Sequence, residues 1–360
     1  MRLFLVVLLQ FTTALLFGQK LQPGFDKAEY AELMKVSSRT TANVKYYTTV
    51  PAPERFKMIY QSPVLGIDNL WDLWTDGNGI AVISIRGTTE NMISSIANLY
   101  TAMVPANGEL QLSKTETFKY ELSTNPRAAV HVGWLACTGF LSKDILPKLD
   151  SIYKKGTKDI LIMGHSQGAA IAFLLTAYLY HLQIKNALPT NIRFKTYCSA
   201  GPKPGNIFFA YDYAALTQNG WGYNVVNSAD WVPQSPISIQ ALPDFNITNP
   251  FTNAKPMIKK LPFPKDLAIL YGYNRLDKST RKATKKYRKY LGTMMGKMIK
   301  KNIPGFSPPV YDKSMDYVSA GNTIVLLADE AYYKIYPDSD TNMFAHHFHN
   351  QYLYLLEKLK

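Results

Sequence analysis

Cysteine is scarce in this chain: Cys137 and Cys198 are the only two in 360 residues. So few exclude a disulfide-stapled scaffold and a Cys-rich zinc module. Cys198 lies in the strand-like RFKTYCSAG and Cys137 in the helix-like GWLACTGFLSK, so two separately buried thiols are expected. Long apolar runs are scarce too. Beyond the N-terminus no 18-residue apolar stretch lacks charge, which excludes a bundle of membrane-spanning helices. No internal repeat occurs, which excludes a solenoid. Acid is in short supply, 26 Asp and Glu against 40 Lys and Arg, for a net charge of +14.

What is present begins with MRLFLVVLLQFTTALLFGQK, where Arg2 precedes an apolar run over residues 3–17 that ends at Gly18. This reads as a secretory signal peptide over residues 1–19, with an exported mature chain of residues 20–360 in the periplasm or outside the cell. A membrane anchor competes, but the run is short and broken by Gln10 and two threonines. The mature chain, 47% hydrophobic overall, is long enough for one large domain with an insertion.

Apolar runs separated by helical or loop segments recur at 79–87, 128–133, 159–164, 193–201 and 223–230. Val/Ile/Leu runs of this kind predict strands buried on both faces of a mostly parallel sheet, an α/β fold with helices on both sides. NTIVLLAD and AYYKIYP, around Asp329 and Glu330, read as a late antiparallel hairpin.

DILIMGHSQGAAIAFLL, residues 159–175, drives one apolar run through Gly164-His165-Ser166-Gln167-Gly168 into another. A strand turning sharply into a helix at GxSxG strains the serine, and Gly164 and Gly168 leave room for neighbouring backbone. Ser166 is the candidate nucleophile, with helix N–H groups aimed at any oxyanion formed beside it. A histidine must take its proton. His165 shares the turn and points elsewhere, His181 lies about 22 Å along the following helix at 1.5 Å per residue, and His131 ends another strand. His346, His347 and His349 remain, in MFAHHFHNQYLYLL. A metal cluster is the competing reading for these three, but no carboxylate or cysteine pattern accompanies them. No metal and no cofactor are expected. Asp230, ending YNVVNSAD, stands in the chain order expected of the acid, ahead of Asp338 and Asp340 in an exposed loop.

ISIRGTT (83–89), VHVGW (130–134), GHSQGAA (164–170), SAGPKPGN (199–206) and NSADWVP (227–233), in that order, resemble the class 3 lipase family, the fungal triacylglycerol lipase type of α/β-hydrolase. The resemblance implies an α/β-hydrolase fold with Ser166 as nucleophile, Asp230 as acid and a terminal histidine as base. Family members with His five residues before Tyr point to His347, which is the base expected here, and those with three point to His349 as the alternative. It also implies an oxyanion hole from Thr88 and the Gln167 N–H. Gln167 and Ala169 depart from the common GHSLGG. The family's lid follows Arg-Gly, where Met92, Ile93, Ile96, Leu99 and Tyr100 recur at helical spacing and read equally as a lid helix over the serine or as an ordinary core-packing helix.

Residues 255–301 hold 15 Lys and Arg against Asp266 and Asp277, so nearly all the net charge sits in an insertion at about 236–318, between acid and base. Apolar residues every three or four positions from Ala283 to Ile299 predict a basic amphipathic helix over 276–301. It could lie on an anionic membrane surface or pack on the hydrolase body. Export and the absence of any nucleic-acid fold motif argue against nucleic acid. Two functions follow: a serine ester hydrolase on acyl lipids, with phospholipase or short-chain carboxylesterase as variants, or a non-catalytic surface-binding protein on a hydrolase scaffold. A complete Ser, Asp and His set favours the enzyme.

Overall fold

The computed structural model describes residues 20–40 and 44–360; residues 1–19, read above as a signal peptide, lie outside the described residues. Seven strands form the central sheet: β1 (Lys57–Gln61), β2 (Trp71–Thr75), β3 (Ile80–Ile85), β8 (Asp159–His165), β9 (Arg193–Ser199), β10 (Gly222–Asn227) and β11 (Asn322–Leu326), adjacent in that order. From β3 to β11 every pairing is parallel, while β1 and β2 add an antiparallel edge.

Period-two patterning explains why the middle of the sheet is covered on both faces. On β3, Ala81, Ile83 and Ile85 enter one core, and Ile80 and Val82 the opposite one. β8 divides likewise, Ile160 and Ile162 against Leu161 and Met163. The first core is closed by α3 (Val132–Lys154) and α4 (Gln167–Ile184). α4 is apolar almost all round and correspondingly buried along most of its length. The second core is closed by α1 (Lys27–Ser37) and the terminal helix α9 (His349–Lys358). Asp26 starts α1 by accepting from Glu29 N at 2.9 Å.

Two sequence expectations are corrected. The run at 128–133 is not a strand of the central sheet. Only Ala129–His131 (β7) is extended, and it pairs with Met103–Pro105 (β4) in a separate two-stranded ribbon; Asn107–Gln111 (β5) and Thr117–Glu121 (β6) form another. His131 ends β7 because its Nδ1 accepts from Trp134 N at 3.2 Å and starts α3. The late hairpin is also absent: β11 pairs parallel to β10, and the second half is helix α8 (Glu330–Ile335). Asp329 decides this, accepting from Tyr332 N at 2.8 Å with Glu330 in the first turn. Helix α2 (Met92–Leu99) follows β3, and α5 (Ile207–Leu216) follows β9. The insertion is helical but longer than expected, running as α6 (Lys265–Tyr287), a π-helical stretch (Arg288–Met294) and α7 (Met295–Asn302). Both cysteines are free and buried.

Candidate active site

β8 passes into α4 at Ser166, whose backbone sits at φ 60° and ψ −128°, a strained conformation for a residue with a side chain. The glycines flanking it are sterically obligatory. A Cβ on Gly164 would lie 2.2 Å from Gly168 O, and one on Gly168 would lie 2.2 Å from Ile85 O. Two close backbone approaches thus hold the turn against β3, and the N-terminal N–H groups of α4 open beside the serine.

Asp230 follows β10 and is almost wholly buried. Its Oδ2 accepts from His347 Nδ1 at 2.7 Å and from Tyr352 OH at 2.8 Å, and its Oδ1 accepts from Val232 N at 3.0 Å. A carboxylate partner fixes the proton of His347 on Nδ1. Nε2, with no hydrogen-bond partner among the described residues, keeps its lone pair for an incoming proton.

His347 lies on a loop, and side-chain donors hold four carbonyls of that loop. Trp231 Nε1 donates to Met343 O at 2.6 Å, Gln351 Nε2 to Ala345 O at 2.8 Å, Asn227 Nδ2 to His346 O at 2.9 Å, and His165 Nε2 to His347 O at 2.8 Å. His165, set aside in the sequence because it points away from Ser166, therefore joins the serine turn to the histidine loop. Because its Nε2 donates, its Nδ1 must accept, from Ser199 Oγ at 3.1 Å, and Ser199 Oγ in turn bonds Tyr30 OH at 2.7 Å.

The other terminal histidines are engaged elsewhere. His349 Nε2 bonds Ser37 Oγ at 2.7 Å and its Nδ1 bonds Tyr46 OH, so both ring nitrogens have neutral partners. Burial depresses its pKa to about 3, helped by His347 and Arg39. His346 bonds Tyr332 OH and Asp338 Oδ1, each at 3.0 Å. The three imidazoles do not converge, and no cluster of three potential metal ligands occurs among the described residues.

Thr88 is exposed after β3, and its Oγ1 accepts from Asn98 Nδ2 at 2.9 Å, leaving the hydroxyl proton free to donate. Asn98 is itself fixed, its Oδ1 accepting from Trp134 Nε1 at 2.9 Å and its carbonyl from His131 Nε2 at 3.2 Å. Gln167 has a second use that sequence reading missed. Ser94 Oγ donates to its Oε1 at 3.2 Å and its Nε2 donates to Ser94 O at 3.1 Å, clamping α2 to the serine turn. Polar Ser94 and Asn98 among the apolar residues of this helix were the available signal. Met92 and Leu99 on the same helix are exposed.

A strained serine turn on a parallel sheet, a carboxylate after a later strand and a histidine before the last helix define an α/β-hydrolase. Residues 82–239, less than half of the chain, match the family Lipase (class 3). No curated protein matches. Solved structures that resemble the chain include a Rhizomucor miehei lipase–propeptide complex, 22% identical over 60% of this chain and 65% of its own (TM-score 0.43). Others are a lipase from Rhizopus microsporus var. chinensis, 21% identical over 59% and 69% (TM-score 0.42), and Lip2 lipase from Yarrowia lipolytica, 18% identical over 61% and 79% (TM-score 0.43).

Proposed function

We propose that this chain is an exported serine hydrolase that cleaves carboxylic esters of acyl lipids through an acyl-enzyme. Ser166 Oγ attacks the ester carbonyl carbon while His347 Nε2 takes its proton, and the carbonyl oxygen becomes an oxyanion held by the Gln167 N–H and Thr88. Asp230 stabilises the imidazolium. The tetrahedral intermediate collapses as His347 returns the proton to the departing alcohol. Water, deprotonated by the same nitrogen, then attacks the acyl carbon and releases the acid.

The observation that carries this reading is the pair His347–Asp230 at 2.7 Å, on a loop tied to the residue next to Ser166. A binding module has no use for a histidine whose one nitrogen meets a buried carboxylate and whose other is unoccupied. The test is hydrolysis of an ester series from short to long acyl chains by the mature protein beside Ser166→Ala. Turnover should fall by roughly 10⁴ or more in the variant. Equal rates for the two proteins on every ester would move the assignment to a binding role.

A further inference from the structure

The insertion between Asp230 and His347 carries most of the chain's net charge, on side chains exposed to solvent. Of the 15 Lys and Arg at residues 255–301, 12 are lysine. All are exposed except half-buried Arg288. Among the described residues only Arg281 forms an ion pair, with Asp277 at 2.8 Å. Thr284 is the single buried residue of the 23 in α6.

Large apolar side chains gather at the other end. Ile247, Phe251, Met257, Phe263, Leu267 and Tyr271 are exposed, Ile247 at 82% and Phe263 at 79%, and only Ile258 is buried within residues 247–271. Single exposed apolar residues are ordinary on a soluble surface, but a run of them beside a field of lysines marks a site that another phase or molecule covers.

The root of the insertion, by contrast, is fixed. α7 buries Met295 and Ile299. Leu291 O accepts from Ala102 N at 3.4 Å, and Tyr311 OH meets Tyr100 OH at 2.8 Å. Tyr100 and Ala102 lead out of α2, the helix clamped to Gln167 beside Ser166. A covered insertion is therefore mechanically continuous with the serine turn.

We propose that the insertion docks on an anionic phospholipid bilayer, with the apolar residues of 247–271 in the interface and the lysines of α6 and α7 over the headgroups. Charge complementarity selects the occupant's sign, and the apolar residues select its kind. A nucleic acid would offer Ile247, Met257 and Leu267 nothing to bury against. Lysines act as point charges suited to mobile headgroups, whereas fixed phosphates are more often read by arginine forks. Docking stands apart from the ester hydrolase reading; only its consequence, delivery of membrane esters to Ser166, rests on it.

The test uses the Ser166→Ala protein, so that vesicles are not consumed, in co-sedimentation with phosphatidylcholine alone or with about 30% phosphatidylserine. Binding to the anionic vesicles is expected to be at least about tenfold stronger and to weaken in roughly 0.5 M salt. Combining K282E, K285E, K286E and K289E should abolish it, since each lysine near such a surface contributes on the order of fivefold. Phe263→Ser with Leu267→Ser should remove the salt-resistant fraction, on the order of tenfold.

The same exposed-site changes made with Ser166 intact should keep the unfolding midpoint and the turnover of a soluble short ester. A docking failure is thereby distinguished from misfolding and from failure of the hydrolase reading. Sedimentation that is absent, equal on neutral vesicles or unchanged by the four reversals overturns the proposal. So does a lipid-free dimer that Phe263→Ser dissolves, because a second copy would then cover the face.

Discussion

Acid should unfold this protein early, and three histidines set the slope. His131 and His349 are buried and depressed to about 3, and His165 is pushed well below its ordinary range. Burial is the leading cause in each, with His349 and His347 adding to it around His165. In an unfolded chain imidazole titrates near ~6.5. Between that value and the folded ones, the unfolded state takes up protons that the folded state refuses, so stability falls as pH falls. Asp72 opposes this: burial raises it to about 6, above the unfolded ~3.9, so across that interval the folded state holds the extra proton and gains stability as pH drops. Burial also lowers His181 and raises Asp244, two shifts that oppose each other in sign, so three sites against one leave a net uptake of about two protons, each worth ~1.4 kcal/mol per pH unit, and ~2.7 kcal/mol is lost between about pH 5.5 and 4.5. Carried from about pH 6.5 to 4, the same slope removes ~7 kcal/mol, enough to unfold a chain in the lower part of the ~5–15 kcal/mol range. Urea unfolding at about pH 7, 5.5 and 4.5 measures the slope, and His349→Gln should lower it by about one proton, ~1.4 kcal/mol per unit. A flat or rising stability toward acid, or a slope that His349→Gln leaves unchanged, would refute the argument.

Tyr352→Phe removes one of the two side-chain donors to Asp230 Oδ2. It should cost about 1.5–3 kcal/mol of stability and lower kcat with KM little changed, read by chemical unfolding and steady-state kinetics. Thr88→Val keeps shape but deletes the hydroxyl, and should lower kcat by roughly 10²–10³ without changing the unfolding midpoint. Gly164→Ala places a methyl 2.2 Å from Gly168 O, so soluble yield and thermal midpoint should both collapse; a well-folded alanine variant would mean that the turn can relax.

The sheet was legible because buried parallel strands leave continuous apolar runs, as in β3 and β8. β7 misled because its run is equally apolar while His131 starts a helix after three residues. The late hairpin misled for the same reason: AYYKIY has the composition of a strand, and a single capping aspartate makes it helix. Ser166 and its glycines were legible because sterics allow few residues there. The histidine was not separable by residue type, since His347 and His349 are two positions apart and differ only in what the fold puts opposite them: a carboxylate for one, Ser37 and Tyr46 for the other. Asn98 and the side-chain clamp of Gln167 escaped notice because their partners are distant in sequence.

The histidine loop shows how placement is achieved without regular structure. Residues 343–348 belong to no helix or strand, so conformational entropy would spread them over many positions. Four side-chain donors, from β8, β10, the turn after β10 and α9, meet four of their carbonyls instead. Each such bond alone nets only about 1 kcal/mol, but together they tie the loop to both sides of the sheet edge at which Ser166 and Asp230 leave. The nitrogen left without a partner is therefore presented by the whole sheet edge rather than by its own segment. That is why residues scattered from Asn98 to Tyr352, most of them outside the serine motif, bear on the chemistry proposed for it.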